Sequence, residues 1–132
     1  KGTRVLSERV AHEAVKMLRL VVTTGTASLA EVPGYEVAGK TGTADKPKKS
    51  GGYYKDKVIN TFASVFPASD PRYVVLVTLD EPVDTSGPKP KRTAGWTAVP
   101  VTAEIVRRIA PIMGLRPKVE LPDQTTLTAA KN

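Results

Sequence analysis

The chain has 132 residues, of which 40% are apolar and 25% charged, a balance that fits one globular domain and excludes a disordered or fibrous chain. No run approaches the roughly 18 apolar residues of a membrane-spanning helix, and the absence of cysteine removes disulfides, thiolate metal sites and cysteine nucleophiles together. Twenty basic against 13 acidic residues leave a net charge of +7, which admits nucleic acid, anionic lipid and acidic substrates as partners.

The chain opens on Lys1 with no signal peptide, so it reads as part of something longer. Ser7 is placed to cap a helix running to about Thr24, with Val10, Ala14, Met17, Leu18 and Val21 on one apolar face. The β-branched run before Gly25 ends it. His12 has charged neighbours at four-residue spacing, Glu8 and Lys16, which makes it a solvated helix residue.

Pro33-Gly34 marks a turn, and Tyr35 to Ala44 then reads as a strand. Residues 45–57 are polar and predict a hairpin-like connection. A second strand follows over Val58–Phe66, stopped by Pro67. After the Asp70-Pro71 turn, Tyr73–Leu79 is a near-continuous apolar run, predicting a strand buried on both faces in the centre of a sheet. Asp80 to Gly95 is a Pro/Lys-rich loop. Thr97 is expected to cap a helix with Val101, Ile105, Ile109 and Ile112 inward, which Pro111 kinks or ends and Gly114 and Pro117 close. Residues 117–132 read as an extended or disordered tail. Helix, three consecutive strands and helix, with short connections, predict an α+β fold: an antiparallel sheet flanked by an N-terminal and a C-terminal helix.

The segment Gly34 to Asp45 admits two incompatible readings of Lys40. Gly34, Gly39, Lys40 and Thr41 satisfy a phosphate-binding loop letter for letter, and the run ending in Asp80 imitates its metal-binding strand. That loop needs an apolar strand before it and a helix starting at the Lys-Thr. Pro33 breaks the first, and Gly42, Pro47, Gly51 and Gly52 forbid the second. The other reading is Lys-Thr-Gly on a strand, the third signature of serine acyl-transferring enzymes. Lys40 then sets a positive charge beside the nucleophile and the substrate carboxylate, and the Thr41 and Thr43 hydroxyls can bind that carboxylate. Gly42 leaves room for substrate along the strand, and the Thr43 N–H serves as an oxyanion donor.

Beyond these three letters, Val37–Ala44 resembles the signature of class B penicillin-binding proteins, the peptidoglycan D,D-transpeptidases. Val21–Ala27 upstream is similar to the helix end that precedes it in that family. Thr61-Phe62, Pro67-Ala68, Asp70-Pro71-Arg72, Asp80-Glu81-Pro82 and Ala94–Pro100 resemble its later elements, in order over about residues 3 to 117. The resemblance is greatest to the septal, cell-division members. It implies a penicillin-binding, serine β-lactamase-like fold, with residues 1–116 as the C-terminal part of a transpeptidase domain. It implies no metal and no cofactor. Its partners would be a peptidoglycan stem peptide, β-lactams, the remainder of the domain and cell-division proteins, at the periplasmic face of the bacterial inner membrane.

The family's nucleophile sits in Ser-x-x-Lys on a helix, followed by Ser-x-Asn. No Ser-x-Asn occurs here. The one Ser-x-x-Lys match, Ser86-Gly87-Pro88-Lys89, falls after Lys-Thr-Gly and cannot form a helical turn. Ser86 is therefore read as an exposed loop residue, and this stretch alone is expected to be inactive. The different-class alternative is a basic module for nucleic acid or another anionic polymer: residues 40–57 hold six Lys and two Asp, with Tyr53 and Tyr54 among them, and Lys89, Lys91 and Arg92 form a second cluster. Both clusters fall in Gly/Pro-rich connections, which favours solvated loops, and no nucleic-acid partner is expected.

Overall fold

A computed structural model describes residues 2–118. Helix α1 spans Glu8–Thr23, and the Ser7 side chain caps it by accepting from the Val10 N–H at 3.3 Å. Strands β1 (Ala38–Pro47), β2 (Tyr53–Phe66) and β3 (Tyr73–Asp80) form an antiparallel sheet in the order β1-β2-β3. Helix α2 (Ala98–Ile112) packs across β2 and β3. The α+β architecture read from the sequence is therefore present, with the core between the sheet and its helices. Phe62 and Phe66 of β2, Val22 of α1 and Val99, Val106 and Ala110 of α2 are buried in that core.

Several local expectations are corrected. The strand does not begin at Tyr35, whose N–H closes a turn onto Val32, and Glu36 takes a left-handed backbone (φ 46°) before β1 starts. The hairpin-like connection expected over 45–57 is present, and it is built largely from strand. β1 and β2 run on into it as a two-stranded ribbon with an irregularity between Asp45 and Pro47, and only a tight turn at 48–52 separates them. Gly51 and Gly52 supply the positive φ values, 90° and 74°, that this turn needs. A largely solvated ribbon has no reason to alternate, so its polar composition hid how far the two strands extend.

β3 is an outer strand among the described residues, and β2 is the central one. Val74 and Leu76 are 77% and 64% exposed on one face, while Val77 is buried on the other. The inward face of α1 is partly shifted from the expected one: Val21 packs against the core as expected, but Val22 is buried and Met17 is 62% exposed. In α2 the buried positions are Ala98, Val99, Thr102, Ala103, Val106 and Ala110. Val101 and Ile112 face outward, the latter 83% exposed, while Ile105 and Ile109 pack against the core as expected. Thr97 occupies the N-cap position but makes no capping bond, because its hydroxyl is engaged elsewhere. Pro111 lies within the last turn of the helix. At the start of the expected tail, the Lys118 N–H donates to the Gly34 carbonyl at 2.9 Å and its ammonium pairs with Glu36. The rest of the predicted tail, 119–132, lies outside the described residues.

The ribbon is pinned at the far end of the sheet by charge. Lys46 reaches Asp80 and Glu81 at 2.7 Å each, and Lys57 reaches Glu81 at 2.9 Å. Hydrogen bonds from Lys46, then Lys57, hold the Glu81 carboxyl below the usual glutamate range, and those that Lys46 donates to Asp80 and Glu81 raise its own value. A carboxylate whose folded pKa is depressed stabilises the fold above its unfolded value, and the contribution is lost as pH falls through the carboxylate range. A carboxyl NMR titration is expected to find Glu81 titrating below an ordinary glutamate and the Lys46 contact loosening over the same acid range. An ordinary Glu81 value would refute this pinning.

Candidate functional site

β1 carries Lys40, Thr41, Gly42 and Thr43 in the middle of an outer strand, paired through Lys40↔Ala63, Thr41↔Phe62, Gly42↔Thr61 and Thr43↔Asn60. Strand continues past Thr41, so the helix that a phosphate-binding loop requires is absent at that point. Side chains alternate along the strand. Thr41 and Thr43 lie on the same sheet face as the buried Phe62 and Asn60, at the rim of the core. Lys40 shares the opposite face with Ala63 and the exposed Leu76, beside Val74. Its ammonium donates to the Thr41 carbonyl at 2.8 Å. Among the described residues, the lysine thus borders an apolar sheet face that nothing covers at Val74 and Leu76.

The two threonine hydroxyls open into a cleft of about 500 Å³, walled by Thr26 and Leu29 after α1 and by Ala94, Gly95 and Trp96 before α2. The Thr41 hydroxyl is 3.1 Å from that of Thr26, and the Thr43 hydroxyl accepts from the Ala94 N–H at 3.0 Å. The cleft is narrow at its base because Gly95 lies against the Thr26 carbonyl, where a Cβ would come within 2.6 Å. Lys91 stands 3.1 Å over the Trp96 ring at the rim. Gly42 is open. A Cβ there would meet only Thr61, at 3.8–3.9 Å, so the chain's own packing does not demand glycine at this position.

The entry to β1 is fixed from α1. The Arg19 guanidinium donates to both Glu31 carboxylate oxygens, at 2.5 and 2.8 Å, and to the Val37 carbonyl at 2.8 Å. This bidentate fork ties helix, connection and strand one residue before Ala38. Sequence reasoning missed Arg19, Thr26, Ala94 and Asn60 as neighbours of the Lys-Thr-Gly strand, because their contacts cross 15 to 51 residues and leave no spacing signal. His12 is exposed on α1, as expected. Ser86 is exposed too, with its N–H bonded to Asp84 at 3.0 Å in the loop before α2, well away in sequence from any helix. Among the described residues no cluster of His, Cys, Asp and Glu is arranged to hold a metal.

Residues 1–107 match the family model of the penicillin binding protein transpeptidase domain. The chain is 38% identical over 129 residues to the probable peptidoglycan D,D-transpeptidase FtsI of Caulobacter vibrioides, covering 92% of this chain and 22% of that protein. It is 37% identical to the stage V sporulation protein D of Bacillus subtilis, covering 87% of this chain and 17% of that protein. Among solved structures, the transpeptidase domain of penicillin-binding protein 3 from Burkholderia pseudomallei superposes with a TM-score of 0.77 and 37% identity, covering 91% of this chain and 35% of that one. The ampicillin complex of penicillin-binding protein 3 from Mycobacterium tuberculosis superposes with a TM-score of 0.73 and 33% identity, covering 91% of this chain and 27% of that one. The chain therefore spans about a fifth of the length of the curated relatives it matches.

Proposed function

Since the chain belongs to the penicillin-binding protein transpeptidase family, we propose that the whole protein is a peptidoglycan D,D-transpeptidase of septal type, and that β1 is its substrate-binding strand. The observation that carries this reading is the placement of Lys40, Thr41, Gly42 and Thr43 on an outer strand, with both hydroxyls opening into one cleft. In the reaction, a serine outside this stretch attacks the penultimate D-Ala carbonyl of a stem pentapeptide. The terminal D-Ala leaves, and an amine from a neighbouring strand resolves the acyl-enzyme. Lys40 supplies positive charge near the nucleophile, and the Thr41 and Thr43 hydroxyls bind the peptide carboxylate. Gly42 admits the peptide along the strand, and the Thr43 N–H is one of two oxyanion donors.

The remainder of the transpeptidase domain would cover the sheet face that carries Lys40, Val74 and Leu76, and this contact would bring the nucleophile to the lysine. Support comes from the uncovered apolar surface there, and from the chain spanning 35% of the Burkholderia domain. β-Lactams would enter the same site and stay at the acyl stage, in a protein facing the periplasm from the inner membrane and working with cell-division proteins. The basic ribbon has a local explanation in its contacts to Asp80 and Glu81, and no observation favours a nucleic-acid role for it.

Fluorescent penicillin tests the reading. The whole protein is expected to take a covalent, serine-dependent label that Lys40→Ala abolishes. The 132-residue stretch alone is expected to take none, and a serine-linked label on it would overturn the assignment.

A further inference from the structure

Asn60 is a fully buried polar residue in the middle of β2, directly opposite Thr43 on β1 and Leu79 on β3. Its inward neighbours along the strand include Phe62 and Phe66, so an apolar side chain would suit the position better on packing grounds alone. The amide instead reaches out of the sheet to the connection before α2. Its Nδ2 donates to the Arg92 carbonyl and to the Thr97 hydroxyl, each at 2.6 Å. The Thr97 hydroxyl gives its own proton to the Thr93 carbonyl at 3.1 Å, so toward Asn60 it can only accept. A carbonyl can only accept as well. Both amide protons are thereby committed and the amide orientation is fixed, which leaves Asn60 Oδ1 buried with no partner among the described residues. A buried polar group that costs the fold an unmade hydrogen bond calls for an explanation outside the fold.

The circuit closes on Thr43. Arg92, Thr93 and Thr97 bracket Ala94, and the Ala94 N–H donates to the Thr43 hydroxyl at 3.0 Å. That bond occupies a lone pair of the hydroxyl oxygen and leaves its proton pointing elsewhere, available to donate. We propose that Asn60 is a positioning residue for substrate binding: through Thr97 and Arg92 it holds residues 92–97 so that Ala94 keeps the Thr43 hydroxyl oriented as a donor to an anionic substrate group. Thr97 shares this role, which also accounts for its failure to cap α2. The inference rests on the carboxylate-binding role given above to Thr43.

A double-mutant cycle on the whole transpeptidase tests it, with acylation by a penicillin separated into apparent binding and acylation steps. Asn60→Leu and Thr97→Val are each expected to weaken apparent binding by up to about tenfold, the worth of one hydrogen bond, with the acylation step little changed. Thr43→Ala should show a loss of the same kind. Asn60→Leu combined with Thr43→Ala should then be no worse than Thr43→Ala alone, because both act on one hydroxyl. A merely structural role for Asn60 would give multiplying losses, and that result overturns the proposal. So does unchanged binding in both Asn60→Leu and Thr97→Val. If Asn60→Leu shows no cooperative thermal transition, Thr97→Val and its combination with Thr43→Ala decide the matter. Failure of the underlying reading looks different: Lys40→Ala would then acylate at the normal rate and Thr43→Ala would bind the penicillin with unchanged apparent affinity.

Discussion

Thr43→Pro in the whole transpeptidase is expected to slow acylation by a β-lactam about 10²–10³-fold, the usual worth of one oxyanion donor. Proline removes both the backbone N–H that the reaction would use and the Thr43 hydroxyl, and leaves Lys40, Thr41 and Gly42 in place. An outer strand can carry proline where the lost N–H faces away from the ladder, and β1 is an outer strand. The thermal transition should therefore survive. Thr43→Ala is the informative companion, since it keeps the N–H and loses only the hydroxyl that Ala94 contacts. Its loss is expected to be about tenfold. Equal losses in the two variants would mean that the hydroxyl, and not the N–H, carries the effect. Unchanged acylation in Thr43→Pro would show that the donor is misassigned.

Gly39→Ala should be nearly as damaging, for a different reason. A Cβ at Gly39 would lie 2.5 Å from the Ala63 carbonyl and 2.7 Å from Phe62 Cζ. The first contact is backbone and cannot rotate away, so β1 must separate from β2 immediately before Lys40. Overpacking of this kind costs about 1–3 kcal/mol. A displacement of about 1 Å in a positioning strand can cost about 10²-fold in rate. Gly42→Ala provides the contrast. Its Cβ meets nothing closer than 3.8 Å within the chain, so stability should be unchanged while substrate access along the strand is impaired. The pair separates a glycine needed for sheet packing from one needed for the ligand. Equal thermal stability in both variants would contradict the Gly39 argument, and full acylation by Gly42→Ala would contradict the placement of substrate along β1.

Lys-Thr-Gly was legible because its neighbours in sequence are its neighbours along a strand, and α1 was legible from its Ser7 cap. What failed to show was whatever the chain assembles across long separations. The run Tyr73–Leu79 looks like a central strand, yet strand order depends on which segments pair, and among the described residues the long β1–β2 ribbon puts β2 at the centre. Val74 and Leu76 are apolar and exposed, a pattern that composition cannot tell from burial on both faces. The inward face of α2 was half legible: Ile105 and Ile109 pack against the core, but Ala98, Val99, Ala103, Val106 and Ala110 are buried while Val101 and Ile112 stay outside. The cleft was hidden for the same reason. Thr26, Thr41, Thr43 and Ala94 meet only after α1, β1 and the connection to α2 have packed together.

The most direct test is a crystal structure of the whole transpeptidase acylated by a penicillin. The expected complex has the acyl oxygen about 2.7–3.1 Å from the Thr43 nitrogen, with the drug's carboxylate accepting from the Thr41 and Thr43 hydroxyls and Lys40 beside the acylated serine. An acyl group directed away from β1, with its carboxylate bound by other residues, would contradict the assignment of this strand.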